Sequence, residues 1–248
     1  MKYVLFILAL TCCFSACKKE TPTDTQEQVM TNAIPDVNAG DWTAIFNGEN
    51  FDGWHVYNQE GMHPAWSVEE GAIKFDPAQE AGPGIAVDIV TDNDYEDFVL
   101  ALEWKVSEAG NSGIFWGVQE MEQYKEPYWT GPEIQVLDNV NHPDAKNGTN
   151  RQAGALYDMI SPPDGAAKPF GEWNQCVIEI NQTANEGRAW LNGTLTAEFA
   201  LHGEEWEEMV GKSKFADWEH FGKSRKGKIS LQDHDDVVWF RNVKIQEL

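Results

Sequence analysis

Acidic, amide and imidazole side chains recur at alternate positions of strand-like segments, and such an arrangement could carry sugar chemistry. Glu133 and Gln135 alternate with apolar residues, and Gln232 and His234 are also two positions apart. Residues two apart on a β-strand share one face, so each pair points the same way. Planar amide and carboxyl groups bind sugar hydroxyls, and an imidazole, whose unperturbed pKa is about 6.5, can act as a general base. These residues are therefore candidates for a site on a sheet surface.

Charged and aromatic residues elsewhere extend this set. Glu103 and Lys105 share a face of a long alternating segment, and Arg241 stands on the polar face of another. If these faces coincide, one sheet displays Glu, Gln, His, Arg and Lys side by side, although any single polar residue is common on a solvated face. Trp116 and Tyr157 are the candidate platforms for stacking on a sugar ring. We expect all of these side chains to bind one small carbohydrate.

Loops next to these segments add further candidates. Residues 139–153 form a long polar connection that carries His142 and Arg151, which is typical of a binding loop. The acid-rich stretch 92–97 lacks the spacing and the glycine of an EF-hand, so a solvated turn is the better interpretation. Aspartates at positions 233, 235 and 236 surround His234, and they leave a metal site open as an alternative.

The elements that must position these residues are predicted to be β-strands. Over Trp42–Leu248, apolar residues alternate with polar ones, and turn residues separate the runs. Asn192-Gly193 predicts a hairpin, and helical spacing of apolar residues predicts one helix over Glu204–Phe215. Many short strands over about 200 residues favour an all-β sandwich or jelly roll. The predicted strands are Gly84–Val90, Phe98–Val106, Ser112–Gln119, Glu133–Leu137, Val177–Gln182, Arg188–Leu191, Leu195–Phe199, Lys228–Asp233 and Val237–Gln246.

The first residues are predicted to lie outside the folded domain. Lys2 precedes a mostly apolar stretch that is too short to span a bilayer and is typical of a secretory signal. Small residues before Cys17 resemble a bacterial lipobox, which predicts a signal peptide over residues 1–16, lipid on Cys17 and a flexible polar tether over residues 17–40. We therefore expect a cell-envelope protein, lipid-anchored to the outer membrane on its periplasmic or its outer side. Only Cys176 is left in the domain, so no disulfide within the chain is expected.

The balance of charges excludes some classes of partner. The 248 residues include 41 Asp or Glu and 18 Lys or Arg, which gives a formal net charge of −23 at pH 7. Binding to nucleic acid requires clustered Lys and Arg, so no nucleic-acid partner is expected. Docking on an anionic membrane by charge is disfavoured for the same reason. The chain also lacks the motifs of a phosphate-binding loop, of a His-Glu-x-x-His zinc protease and of a Gly-x-Ser-x-Gly hydrolase.

Eight short strings occur in order along the chain. They are FNGENFDGW at 46–54, NSGIF at 111–115, GPEIQVLDN at 131–139, GALYD at 154–158, GEWN at 171–174, WLNG at 190–193, SKF at 213–215 and ISLQDH at 229–234. Together they resemble the 3-keto-disaccharide hydrolase family, long called a domain of unknown function. The resemblance implies a concanavalin A-like jelly roll over residues 41–248 and a bacterial lipoprotein. It also implies cleavage of glycosides already oxidised at C3, by a hydrolase or by a lyase and hydratase acting through a 2-hydroxyglucal.

The chemistry that this resemblance implies assigns roles to the candidates. A ketone at C3 acidifies the hydrogen on C2, and β-elimination of the C1 oxygen followed by addition of water gives net hydrolysis. His234 suits the base, Glu133 suits the acid at the leaving group, and Arg241 or a bound divalent metal suits the enolate oxygen. Glu133 and Asp138 are the candidate ligands for such a metal. The candidate substrate-binding residues are Gln135, Asn111, Glu103, Lys105, Trp116, Tyr157, Arg151 and Gln232.

Two alternative functions and two departures from the family strings stay open at this point. A non-catalytic carbohydrate-binding module could use the same polar face. A two-carboxylate glycosidase would need its acids about 5–10 Å apart, and Glu103 and Glu133 would supply them if they are neighbours. Lys228 stands where a histidine or an aromatic residue is expected, and Asp235 stands where glycine commonly follows the histidine. Both departures are expected to lie beside the site.

Overall fold

β-Strands and the loops between them build this structure. The computed structural model describes Met1, residues 33–79 and residues 86–248, so the predicted signal peptide, Cys17 and most of the predicted tether lie outside the described residues. The strands are β1 Thr43–Ala44, β2 Trp54–Val56, β3 Trp66–Glu69, β4 Ala72–Phe75, β5 Ile89–Thr91, β6 Phe98–Val106, β7 Asn111–Val118, β8 Glu133–Leu137, β9 Asn174–Asn181, β10 Glu186–Leu191, β11 Thr194–Phe199, β12 Lys228–Leu231 and β13 Val238–Glu247. Helix α1 spans Glu204–Gly211, and short 3₁₀ turns span Pro127–Trp129, Pro143–Lys146 and Thr149–Arg151.

The strands pair into two antiparallel sheets. The larger sheet has the order β11-β10-β9-β6-β13-β4-β3, with β1 added beside β13, and the smaller has the order β2-β5-β12-β7-β8. Strands that are distant in the sequence become neighbours, as β6 and β13 do. The prediction of an all-β, concanavalin A-like jelly-roll sandwich is confirmed.

The main core contains apolar side chains of both sheets. In β6, Phe98, Leu100 and Trp104 are buried on the face that alternation predicts. Ile134 and Leu231 of the smaller sheet belong to the same core. Burial of each such side chain stabilises the fold by about 1.5–3 kcal/mol. The polar residues that alternate with Ile134 and Leu231 therefore point away from the core, on the outer face of the smaller sheet.

A second apolar cluster covers part of the outer face of the larger sheet. Val177 and Trp190 are buried there, and Ile34 and Val37 pack against them. Residues Ala33–Leu248 form one compact unit. The last residues of the predicted tether therefore contact the sheet.

The predicted hairpin and helix are both present. Asn192 and Gly193 have φ angles of 50° and 85°, as a two-residue type I′ turn requires. Helix α1 is shorter than predicted, because beyond it the Ser213 hydroxyl donates to the carbonyl oxygen of Val210 at 2.8 Å and the chain turns. Within the described ranges no helix is long and apolar enough to cross a membrane.

Candidate active site

A cavity of about 240 Å³ lies on the outer face of the smaller sheet. The neighbouring strands β7 and β8, together with the residues that follow β12, contribute polar side chains, and loops contribute the remaining walls. The structure thus brings together Glu133, Gln135, Gln232 and His234, as the sequence predicts. The polar lining is Asn111, Glu133, Gln135, Tyr157, Lys214, Gln232 and His234, and the aromatic lining is Phe115, Tyr128, Phe215 and Phe221.

Strand register sets the position of Glu133 in this cavity. β7 pairs with β8 so that Phe115 lies opposite Glu133 and Gly113 lies opposite Gln135. The Glu133 side chain lies over Gly113, where a Cβ atom would be 2.5 Å from Glu133 Oε1. The absence of a side chain at residue 113 therefore makes the room for the carboxyl group.

The surroundings of Glu133 favour the protonated form of its carboxyl group. Glu133 is only 8% exposed. Burial raises the pKa of Glu133 to about 8, the Asp144 carboxylate also raises it, and the Lys214 ammonium opposes the change. A carboxyl group with this pKa exchanges its proton near neutral pH, as a general acid or base must.

Lys214 brings an amino group into the same cavity. The residue as a whole is exposed, but its Nζ lies over the ring of Tyr157, 4.2 Å from the ring centre. Loss of water around the amino group lowers the pKa of Lys214, and Glu133 opposes this change. In the ranges 33–79 and 86–248, no carboxylate oxygen lies within 4.0 Å of Nζ. No role for Lys214 is predicted from the sequence, because it follows α1 in a loop that has no alternating pattern.

A hydrogen-bonded network behind the cavity holds Tyr157 and Lys214. The Tyr157 hydroxyl donates to Asp144 Oδ2 at 2.7 Å. Arg151 pairs with Asp144 at 3.2 Å and with Asp158 at 2.9 Å, and Asp158 Oδ2 accepts the backbone N–H of Lys214 at 2.8 Å. Arg151 is not among the cavity-lining residues, so it holds the walls rather than facing the cavity.

Asn111 is a buried acceptor that still lacks a donor. The residue is 4% exposed and lines the cavity, and its Oδ1 has no hydrogen-bond partner among the described residues. A buried amide oxygen without a partner costs about 1–3 kcal/mol, so such an atom in a cavity is a candidate contact for a ligand. In the sequence, the family string NSGIF is the signal that points to Asn111.

Comparison with known proteins places the chain in a family. The sequence profile of the 3-keto-alpha-glucoside-1,2-lyase-like domain matches residues 41–246. The chain belongs to this family. A 3-keto-disaccharide hydrolase of Bacteroides thetaiotaomicron is 39% identical over 235 residues, which cover 86% of this chain and 80% of the relative.

Solved structures agree with this assignment. A Parabacteroides distasonis protein provisionally described as a glycosyl hydrolase is 34% identical, with a TM-score of 0.75 and coverage of 84% of this chain and 94% of its own. A second protein of that organism, described in the same way, is 25% identical with a TM-score of 0.62 and coverage of 84% and 100%.

Three predicted site residues of this lyase-like domain lie elsewhere, on the larger sheet. Arg241 of β13 faces Glu103 of β6 across one register pair, and its Nε donates to Glu103 Oε2. Lys105 Nζ lies 4.3 Å from the ring centre of Trp239. The prediction that all the polar faces coincide is therefore wrong, because β6 and β13 belong to a different sheet from β8 and β12.

Trp116 is also misplaced in the sequence prediction. It alternates with Phe115, which lines the cavity, so its own side chain points into the core and stacks on Phe199 with ring centres 5.6 Å apart. The residue is 4% exposed and offers no platform to a sugar. Tyr157, the other predicted platform, does line the cavity.

The Asp138 carboxylate accepts hydrogen bonds in the turn that follows β8. It accepts the backbone N–H groups of Ala109 and Val140 and the side-chain amide of Asn141 at 2.7–3.0 Å. Burial alone would raise the pKa of Asp138, and these hydrogen bonds outweigh burial and lower it. The structure therefore assigns Asp138 to a turn rather than to a metal site shared with Glu133.

The two departures from the family strings have local explanations. Lys228 is not in the cavity lining; its Nζ donates to the carbonyl oxygens of Thr91 and Asp92 at 3.1 and 2.8 Å. The expectation that Lys228 borders the cavity is wrong. Asp235 has a φ angle of 58°, in the left-handed region that glycine adopts without strain. Asp235 therefore keeps the backbone conformation for which glycine is common at this position.

Proposed function

We propose that this cavity cleaves glycosidic bonds of sugars that carry a ketone at C3, as a lyase and hydratase or as a hydrolase. The observation that carries the proposal is the convergence of a buried carboxyl group, Glu133, and a partly dehydrated amino group, Lys214, among amide side chains. The name of the Bacteroides thetaiotaomicron relative supports a carbohydrate substrate.

The reaction begins with removal of a proton beside the ketone. A base removes the proton from C2. The electron pair of the broken C2–H bond then forms an enolate whose negative charge rests on the C3 oxygen. The enolate then expels the oxygen on C1, which takes a proton as the C1–O bond breaks. Addition of water to C1 and C2 of the resulting enone restores a 3-keto sugar, and the sum of the steps is hydrolysis.

Glu133 is the group to which we assign the proton transfers. Its carboxylate takes the C2 proton, and the carboxylic acid so formed delivers a proton to the leaving oxygen. Because the pKa of Glu133 is raised to about 8, the rate should increase with pH as the carboxylate fraction grows and should level off above that value. We prefer Glu133 to His234 for this role because Glu133 is buried among the lining groups, whereas His234 is exposed at the rim.

Lys214 takes the role that the sequence had suggested for Arg241. An enolate needs a cation or hydrogen-bond donor at its oxygen, and such a group stabilises the transition state most where water is excluded. The Lys214 amino group lies in the cavity, while Arg241 is paired with Glu103 on the other sheet. We propose that Lys214 donates to the C3 oxygen.

The remaining lining gives a sugar both polar and apolar contacts. The side-chain amides of Asn111 and Gln232 line the cavity and can bind sugar hydroxyls. On the apolar side, Phe215 and Phe221 stack with ring centres 3.9 Å apart, and such a wall suits the C–H face of a pyranose.

An aryl 3-keto-glucoside tests the proposal. The full chain should release the phenol, and Glu133→Gln should lower kcat by more than about 100-fold, because the amide cannot take a proton. Glu103→Gln is the matched control, since Glu103 lies on the other sheet, and it should keep the wild-type rate. Release of phenol at the full rate by Glu133→Gln would refute the assigned role.

The same assay separates the alternative functions. Turnover of an unoxidised aryl glucoside would indicate a two-carboxylate glycosidase, but the pair considered from the sequence does not form, since Glu103 and Glu133 lie on different sheets. Calorimetric binding of a glycan without release of product would indicate a carbohydrate-binding module.

We also propose that the protein reaches the cell envelope as a lipoprotein. The support is the apolar leader and the small residues before Cys17. Cys17→Ser should abolish incorporation of labelled palmitate and release the protein from the membrane fraction. Unchanged labelling in Cys17→Ser would exclude this site of lipidation.

A further inference from the structure

A group of metal-ligating side chains lies at the rim of the cavity and has no role in the reaction described above. His142, His234 and Asp236 each offer one ligand atom, and these atoms all lie within 4.8 Å of one another. The two imidazole rings are nearly perpendicular, with centres 6.1 Å apart. His142 comes from the loop over residues 139–153, while His234 and Asp236 lie between β12 and β13, so tertiary structure brings them together.

A second observation points to a ligand at the same place. Asn111 Oδ1 is a buried oxygen without a partner in the described part of the chain, and it faces the cavity that His234 also lines. The backbone N–H of Asn111 donates to Asp236 Oδ2 at 3.1 Å. This bond orients the carboxylate through one oxygen and leaves the other oxygen for a ligand.

We propose that His142, His234 and Asp236 bind a divalent transition-metal ion, with Asn111 Oδ1 as a further oxygen donor on the cavity side. Two imidazoles and one carboxylate are the donor set of many Mn²⁺, Fe²⁺, Co²⁺ and Zn²⁺ sites, and three protein ligands leave positions open for oxygen atoms of a substrate. Mg²⁺ and Ca²⁺ prefer sites made of oxygen alone, so they should compete poorly here.

The side chains must move closer to bind the ion. Ligand atoms around a tetrahedral Zn²⁺ are about 3.3 Å apart, given metal–nitrogen bonds near 2.0 Å, which is shorter than the 4.8 Å limit found here. His142 Nδ1 accepts the backbone N–H of Asp144 at 3.1 Å, so the neutral ring carries its proton on Nε2. To bind the metal through Nδ1, the His142 ring must therefore give up the hydrogen bond from Asp144. To bind it through Nε2, the ring must give up the proton on that nitrogen.

This site differs from the pair Glu133 and Asp138 predicted as metal ligands. It keeps His234 and Asp236 of the alternative metal site around His234, and it adds His142 from a separate loop. It is also independent of the proposed function, because no step of that reaction passes through an ion. Binding can accordingly be measured without any sugar.

A Co²⁺ titration of the chelator-treated full chain in detergent tests the proposal. Calorimetry gives the affinity, and the visible absorption of Co²⁺ reports nitrogen ligands. Physiological salt and excess Mg²⁺ suppress binding to the many surface carboxylates. We expect saturation at one Co²⁺ per chain and more than about tenfold weaker binding by His142→Gln and by Asp236→Asn. Asp236→Asn retains the acceptor for the Asn111 N–H.

His63→Gln is the matched control. His63 Nδ1 accepts the backbone N–H of Ala65 at 3.2 Å, which is the same local bond that His142 makes, but His63 is not part of the cluster. This control should bind Co²⁺ like the wild type. The two test variants lie on separate segments, so a folding defect in one leaves the other to decide. Equal affinity of the wild type and of a folded test variant, or no saturable binding by the wild type, overturns the proposal.

Discussion

The carboxyl group of Glu133 and the amino group of Lys214 enter one cavity without forming an ion pair, their charged atoms being more than 4.0 Å apart. Glu133 comes from β8 and Lys214 from the loop after α1. Burial removes water from both groups, which raises the pKa of the Glu133 carboxyl group and lowers the pKa of the Lys214 amino group. The neutral form of each group is therefore favoured. A substrate carbonyl placed between them would meet a base and a donor together.

The amino group of Lys214 should be required for turnover of the substrate. Lys214→Met keeps most of the length of the side chain and removes the donor, so kcat should fall by more than about 100-fold while the fold is retained. The measurement is phenol release from an aryl 3-keto-glucoside. Lys212→Met is the matched control, because Lys212 is exposed and pairs only with Glu208 in the described residues. Equal rates for the Lys214→Met and Lys212→Met variants would contradict the role.

Gly113 should tolerate no side chain. A Cβ atom there would be 2.5 Å from Glu133 Oε1 and 2.9 Å from Cδ, so Gly113→Ala must displace the carboxyl group. A small displacement of a reacting group costs about 100-fold, and we expect such a loss in kcat with a cooperative unfolding transition still present. Gly211→Ala is the control, since its added Cβ meets nothing within 4 Å and alanine favours the helix. Wild-type kcat for Gly113→Ala would show that the carboxyl position is not critical.

The strength of the alternating pattern decided which elements could be predicted from the sequence. β6 and β8 have the predicted bounds, because each contains a full run of alternating residues. The sequence does not predict β2, which has three residues, or β3 and β4, which have four each. So few residues show no alternating period, and these strands form because they pair with their neighbours in the sheets.

The candidate site could be predicted only within single strands. Alternation places Glu133 beside Gln135, but no local pattern tells which sheet a strand joins. The alternating pattern therefore does not distinguish Arg241 and Glu103, which lie on the larger sheet, from Glu133, which lies on the smaller one. Lys214 was missed because tertiary contacts with Tyr157 and Asp158 bring it to the cavity.

The pair formed by Arg241 and Glu103 should be dispensable for activity. Arg241→Gln removes a partly exposed ion pair that is worth about 0–1 kcal/mol, together with a stacking contact in which Cζ lies 4.0 Å from the ring centre of Trp173. We expect a modest loss in the free energy of unfolding and a kcat within about twofold of wild type. Urea unfolding and the phenol assay measure the two quantities. A loss of activity as large as that expected for Lys214→Met would show that Arg241 is required for the reaction.

The free energy of unfolding should depend on pH through Glu133. Burial raises the pKa of Glu133 from 4.5 to about 8 in the folded protein, so the folded state keeps a proton that the unfolded state releases. The contribution of Glu133 is thus complete below pH 4.5 and declines as pH rises toward 8, by roughly 1 kcal/mol per pH unit. Glu133→Gln does not titrate, so its stability relative to wild type should increase over that interval.

Urea unfolding of wild type and Glu133→Gln at several pH values measures this dependence. Gln135→Ala serves as the control, because it alters a neighbouring lining residue that carries no charge, and its stability difference from wild type should stay constant with pH. A constant difference for Glu133→Gln as well would mean that the carboxyl group is hydrated in the folded protein. In that case Glu133 would be an ordinary carboxylate at neutral pH, so it would be a weaker base toward the C2 hydrogen, and the predicted rise of the rate toward pH 8 would be absent.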